Sequence, residues 1–294
     1  MQYRGLFVGL TTIDIQYFVD SFPESNKKVK TNPPEILIGG PATNAAAVFS
    51  VLNQGAFLAS SIGESPFNSF CQNDFKNTEV SHFDLAGKQV LDPVIASVVT
   101  SVNSGERNIF THNPNNISPE LTAKELFENT NPEILLLDSF YPKCSIECAK
   151  IAKSKNIPVI MDGGSWKPQF DTLLNYTDVI ICSNDFIPPN CNNSKDVVDY
   201  LRKREIKNIA ISRGEKSILF YSTESSGEIP VSKINVIDTL GAGDFLHGAF
   251  CYFYLQENDF RTALTKASEI ASFSCQHKGT RSWLKLLKNR VALY

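Results

Sequence analysis

The hydrophobic positions change rhythm along the chain. From about residue 134 short β-branched and leucine-rich runs recur at 134–138, 157–162, 178–182 and 208–212, separated by more polar stretches of helical period. Continuous apolar runs alternating with helices predict a parallel sheet covered on both faces, because such strands are buried on both sides. Two of the intervening helices are explicit. Residues 145–155 put Ile146, Ala149 and Ala152 on one face, and residues 194–204 open on a serine cap and carry Val197, Val198 and Leu201. Each precedes a strand, as a right-handed crossover requires.

The N-terminal half reads differently. Residues 5–8 make a first strand-like run, residues 23–34 are polar and turn-rich, and residues 94–103 and 108–112 flank Ser104-Gly105-Glu106 as a hairpin. With residues 13–19 they predict a small antiparallel sheet projecting from the main body, a lid over a site. The fold expected is thus a three-layer α/β/α sandwich with a mainly parallel sheet, a single unit over 1–294, with the lid built from segments 11–35 and 92–113.

Composition narrows the classes. The 294 residues hold 28 Lys and Arg against 31 Asp and Glu, a net charge of -3, which leaves no basic stripe for a nucleic acid backbone. Apolar runs fall far short of the ~20 residues of a membrane span, and the first residues pass into a strand without a leader pattern, so a cytoplasmic protein is expected. The seven cysteines are odd in number and contain no C-x-x-C pair, which suits reduced thiols in a core.

Three segments carry chemistry. Asp-Thr-Leu-Gly-Ala-Gly-Asp at 238–244 runs into a helix whose apolar positions 245/246, 249/250 and 253/254 recur at helical spacing. Gly241, Ala242 and Gly243 therefore sit at a helix start, where exposed N–H groups and the macrodipole form an anion site. Asp244 in the first turn can accept the proton of an attacking hydroxyl, or can serve only as a helix-terminal charge. At 36–48 a strand enters Gly39-Gly40, Pro41 suits the first helical position, and Asn44 offers a donor and an acceptor to a polyol. Asp14 lies in a loop after the first strand, near the carboxyl edge of the sheet where ligands collect.

In this order the segments resemble the ribokinase-like carbohydrate kinases of the PfkB family over nearly the whole chain. The resemblance implies a kinase using ATP and Mg²⁺, with Asp244 as general base and Gly241, Ala242 and Gly243 as the anion hole for the γ-phosphate. It places Asp14, Gly39, Gly40 and Asn44 on the acceptor hydroxyls, with Arg107 of the lid within reach. It puts Asn184, Ser212, Gly214 and Gly279 on the nucleotide, makes Asp238 a candidate ligand for potassium, and puts residues 278–281 beside the adenine and cation sites. A homodimer joined through the lid is a further option. Two departures stand out: Ile187 replaces the glutamate of the usual Asn-x-x-Glu, and Ser65 and Asn68 replace an expected Asp and Gly. Asp-Gly-Gly-Ser-Trp-Lys at 162–167 is similar to ketohexokinase-related members and favours a ketose, while His247 reads as a core histidine. A nucleoside kinase of the same fold and a non-catalytic sensor of sugar or nucleotide are the alternatives.

Overall fold

The computed structural model describes residues 2–114 and 117–291. The main sheet contains nine strands in the order β13-β12-β11-β10-β9-β8-β1-β4-β5. Its parallel part comprises β1 (Gly5–Val8), β4 (Ala56–Ser60), β5 (Val80–Asp84), β8 (Ile134–Leu137), β9 (Val159–Gly163), β10 (Val179–Ser183) and β11 (Asn208–Arg213). An antiparallel edge is added by β12 (Lys216–Tyr221) and β13 (Ser226–Ile229).

Both faces are covered. Alternate residues of each central strand point opposite ways, so Phe7, Ile134 and Leu136 pack with one helical layer while Leu6, Val8, Leu135 and Leu137 pack with the other. The first layer holds α1 (Pro41–Asn53), α2 (Asn68–Asn77), α7 (Ala242–Glu257), α8 (Phe260–Ser274) and α9 (Leu284–Val291). The second holds α3 (Ala123–Thr130), α4 (Pro142–Ser154), α5 (Phe170–Leu173) and α6 (Ser194–Arg202). Removing each large apolar side chain from water contributes roughly 1.5–3 kcal/mol, and the fully buried set includes Phe7, Phe49, Phe127, Phe245, Phe250 and Trp283.

The strands expected between 134 and 212 are present, as are both explicit helices. Helix α4 begins three residues before the apolar pattern, at Pro142, whose fixed φ suits a first helical position. The N-terminal half does more than the sequence pattern indicates, because β1, β4 and β5 complete the main sheet.

A second sheet has the order β3-β2-β6-β7, formed by β2 (Thr12–Val19), β3 (Glu35–Gly39), β6 (Ile95–Ser101) and β7 (Arg107–Phe110). It is mixed and not antiparallel as expected, since β2 and β6 pair in parallel over Ile13 to Val19. The reason is topological: β2 continues outward from the carboxyl end of β1 and β6 follows the carboxyl end of β5, and those two strands already run the same way. The expected hairpin is β6–β7. Among the described residues no helix is long and apolar enough to cross a membrane, and all seven cysteines are buried free thiols.

Candidate active site

Strand order reverses between β8 and β1, and a crevice at such a switch point is where open α/β sheets bind ligands. Two helices begin there. Helix α1 starts after Gly40, whose φ of 99° admits only glycine comfortably and whose Cβ would lie 2.2 Å from the Leu10 carbonyl oxygen. Helix α7 starts after Gly241 in the left-handed region, at φ 75°. The helices cross closely because Gly248 of α7 lacks a side chain; a Cβ there would lie 2.2 Å from the Ala45 carbonyl oxygen.

This crossing joins the first turns. Asn44 Nδ2 donates to Asp244 Oδ2 at 2.8 Å, across 200 residues of sequence. Gly243 is exposed, and a Cβ added to it would meet nothing within 4 Å, so open space lies over the N-terminus of α7. N–H groups of a first helical turn have no partner within the helix and can turn to an anion in that space. Burial pushes the Asp244 carboxyl up to about 7, with the charge of Asp162 adding to it and Asp14 adding less; the Asn44 hydrogen bond and His247 oppose the rise.

Asp14 lies within β2, not in a loop as the sequence suggested, because β2 follows β1 after only three residues. It is buried, accepts from Thr12 Oγ1 at 2.6 Å, and faces Gly39, where a Cβ would come 2.1 Å from its Oδ2. Burial raises its pKa, against the Thr12 hydrogen bond and the charge of Arg281.

Asp138 was missed by the sequence reading. It follows β8 at the switch point and accepts from the backbone N–H groups of Leu10 at 2.7 Å, Phe140 at 3.1 Å and Ala42 at 3.3 Å. Burial pushes its carboxyl up to about 6. The available signal was an acid directly after a four-residue apolar run in the middle of a parallel sheet. Asp162, at the end of β9, lies 3.6 Å from His247 Nε2. His247 itself is buried, with Nδ1 2.7 Å from the Gly243 carbonyl and Nε2 3.0 Å from that of Ile181.

Behind the α7 entry, buried Asp238 accepts from Gln16 Nε2 at 2.8 Å and from the N–H groups of Leu240 and Gly279, each at 3.0 Å. Gln16 is fully buried, and its Oε1 has no hydrogen-bond partner among the described residues. An unneutralised carboxylate with an unsatisfied amide oxygen nearby is a donor set that fits a monovalent cation. Gly279 thus sits against Asp238. Exposed Arg107, at the start of β7, hydrogen bonds to Thr239 Oγ1 and ties the second sheet to this loop.

The remaining positions lie at the carboxyl ends of β10 and β11. Asn184 is exposed just beyond β10, Ser212 Oγ donates to the Cys182 carbonyl at 3.2 Å, and Gly214, at φ 63°, forms the turn between β11 and β12. Ile187 is 53 % exposed. Arg281 does not join these loops: its Nη1 donates to Asn44 Oδ1 at 2.8 Å and its Nε reaches Asp74. Among the described residues no cluster of three or more His, Cys, Asp or Glu could hold a metal.

Comparison with known proteins places the fold and the family. Residues 5–286 match the pfkB family carbohydrate kinase description. A deoxyribokinase of Salmonella typhi is 22 % identical, over 94 % of this chain and 93 % of its own length. A nucleoside kinase of Methanocaldococcus jannaschii is 25 % identical, over 94 % and 91 %. Among solved structures, ribokinase from Giardia lamblia superposes with a TM-score of 0.80 at 17 % identity, covering all of both chains. Arabidopsis thaliana ribokinase complexed with ribose and ATP gives 0.76 at 22 % identity, covering 98 % of this chain and 99 % of its own. With the family match spanning nearly the whole sequence, the chain belongs to the pfkB family of carbohydrate kinases.

Proposed function

We propose that this protein transfers the γ-phosphoryl group of ATP to a hydroxyl of a small sugar, with Asp244 as the general base. The observation that carries the reading is the meeting of two helix N-termini, with Asp244 of one hydrogen bonded to Asn44 of the other beside the open, glycine-lined start of α7.

The chemistry follows from that placement. Asp244 takes the proton of the acceptor hydroxyl as its oxygen forms a bond to the γ-phosphorus, while the bond from that phosphorus to the β,γ-bridging oxygen breaks and ADP leaves with the electron pair. Gly241 and Gly243 offer backbone N–H groups to the charge on the moving phosphoryl group, while the N–H of Ala242 donates to the Thr239 carbonyl at 3.2 Å and holds the turn in shape. A carboxyl raised to about 7 is matched to proton transfer near neutral pH. Asp14, Gly39, Gly40 and Asn44 hold the acceptor, and with Asn44 Oδ1 accepting from Arg281 and one Nδ2 hydrogen on Asp244, the second Nδ2 hydrogen of Asn44 is free to donate to it. Asn184, Ser212 and Gly214 serve the nucleotide. Asp238, with Gln16 Oε1, would hold a monovalent cation that supplies positive charge behind the anion hole. The second sheet acts as a lid, with Arg107 latching it to Thr239.

Relatives named deoxyribokinase and ribokinase favour a pentose, and the nucleoside kinase relative keeps a nucleoside acceptor as the second reading. An ADP-release assay with Mg²⁺-ATP and potassium, run over pentoses, ketoses and nucleosides, decides between them. Asp244→Asn should lower turnover by roughly 10²–10⁴-fold without loss of folded structure. Turnover undiminished in Asp244→Asn would refute the assignment, and binding without transfer across the panel would favour a sensor.

A further inference from the structure

The guanidinium of Arg281 is not where its stretch of sequence suggested. Its side chain is 15 % exposed, and its Nε lies 3.0 Å from both carboxylate oxygens of Asp74 on α2, a side chain equally enclosed. Its Nη1 donates to the Thr280 carbonyl at 3.1 Å and to Asn44 Oδ1 at 2.8 Å. A continuous chain therefore runs Asp74, Arg281, Asn44, Asp244.

The two ends of the Asn44 carboxamide are chemically distinct, and the chain selects one orientation. With Oδ1 toward Arg281 and Nδ2 toward Asp244, each contact joins a donor to an acceptor. Rotated by 180°, the amide would set N–H against a guanidinium that only donates and a carbonyl against a carboxylate that only accepts. No other side chain holds Asn44 Oδ1 among the described residues.

We propose that Arg281, anchored by Asp74, is a positioning residue that locks the Asn44 carboxamide donor-first onto Asp244. The lock occupies Oδ2 of the base and leaves Oδ1 to take the acceptor's proton, and it leaves the second Nδ2 hydrogen of Asn44 for an acceptor oxygen. This rests on Asp244 being the base.

The electrostatic surroundings give a signature that a purely structural ion pair lacks. Asp244 is faced by Asp162 from β9, Asp14 from β2 and His247 from its own helix, with Asp138 of the β8 end beside Asp162. Arg281 faces Asn44, Asp74 and Asp14, and its charge lowers the pKa of Asp14. Losing the locked donor removes stabilisation of the ionised base, so the base binds its proton more tightly and the acid limb of the kcat/KM profile moves to higher pH.

The test compares wild type, Arg281→Met, Arg281→Lys, Asp74→Asn, Asn44→Ala, Arg281→Met combined with Asn44→Ala, and Asp244→Asn across pH, with thermal melts as the folding control. Arg281→Met should move the acid limb up by about one pH unit and lower kcat about ten- to a hundredfold, with the KM for ATP unchanged. Asp74→Asn, which keeps the guanidinium but loosens its anchor, should lower kcat with a smaller movement. Arg281→Lys should recover less than half of the lost kcat, since a single nitrogen replaces the separate Nε and Nη1 that reach Asp74 and Asn44. In the Asn44→Ala background Arg281→Met should cost nothing further. If Arg281→Met fails to fold, Asp74→Asn and Arg281→Lys carry the same readouts. An unmoved acid limb, or losses that simply add in the double variant, overturns the proposal while Asp244→Asn stays inactive. Activity surviving in Asp244→Asn instead overturns the assignment of the base.

Discussion

A carboxyl raised by burial is a thermodynamic load as well as a catalytic device. Asp244 binds its proton more tightly folded than unfolded, with a pKa moved from 3.8 to about 7, so stability falls as pH rises through that window. Asp138, pushed up to about 6, and Asp14 contribute with the same sign. The ligand-free protein should therefore melt higher near pH 5 than at pH 8. Asp244→Asn should melt above wild type at pH 8, by about 2–4 °C for each kcal/mol relieved, with the gap closing toward pH 4. Thermal scans across this range check it, and a gap that widens in acid would contradict the burial argument. At this scale the sequence was readable where function is local. Glycines and an acid at a helix start announce Asp244, and Gly39-Gly40-Pro41 with Asn44 does the same for α1. Asp138 and Arg281 were not readable, because the partners that tie them to the site lie 96 to 237 residues away.

Among the elements, the crossing of α1 and α7 sets the site, and Gly248 sets the crossing. Gly248→Ala would place a methyl group 2.2 Å from the Ala45 carbonyl oxygen, backbone that cannot rotate away. The helices must separate, which costs about 1–3 kcal/mol and draws Asp244 away from Asn44. A displacement of about 1 Å at reacting groups is enough for roughly a hundredfold loss, so Gly248→Ala should lower both the melting temperature and kcat although the residue touches no substrate. A variant that melts and turns over like wild type would show the crossing to be slack. The apolar rhythm revealed β8 to β11 because fully buried strands read as continuous apolar runs. It did not reveal β4, a buried run of only five residues with small Ala56, Ala59 and Ser60 among them, or β5, the edge strand, in which only Val80 is buried. Nor could it tell the direction in which β2 pairs with β6, since that depends on which edge of the main sheet each strand leaves.

On the scale of the whole molecule, the second sheet is tied to the loop before α7 by buried Gln16 on Asp238 and by exposed Arg107 on Thr239. Arg107→Ala should raise the acceptor KM by about tenfold, the worth of one hydrogen bond to a charged group, and leave the melting temperature nearly unchanged because the residue is exposed. Steady-state kinetics with a fixed ATP concentration measure it, and an unchanged KM would mean that the contact does not latch the lid. The three-layer architecture and the projecting sheet were both visible in the periodicity, since each follows from burial; the latch was not, because it joins residues 132 positions apart.

The route of the chain between the sheets has a consequence for the protein's history. Asp14 lies on the strand that enters the second sheet, Gly39 ends the one that leaves it, and Asn44 lies on the helix that follows after Gly40 alone. The proposed acceptor contacts are thus the joints of the molecule. A lid transplanted from a relative would bring its own Asp14 equivalent but would have to fit the recipient's Asn44, Asp138 and Asp244, so the lid is a poor unit of exchange. Changes of substrate in such a scaffold should accumulate by substitutions within these joints, and libraries aimed at a new acceptor belong there.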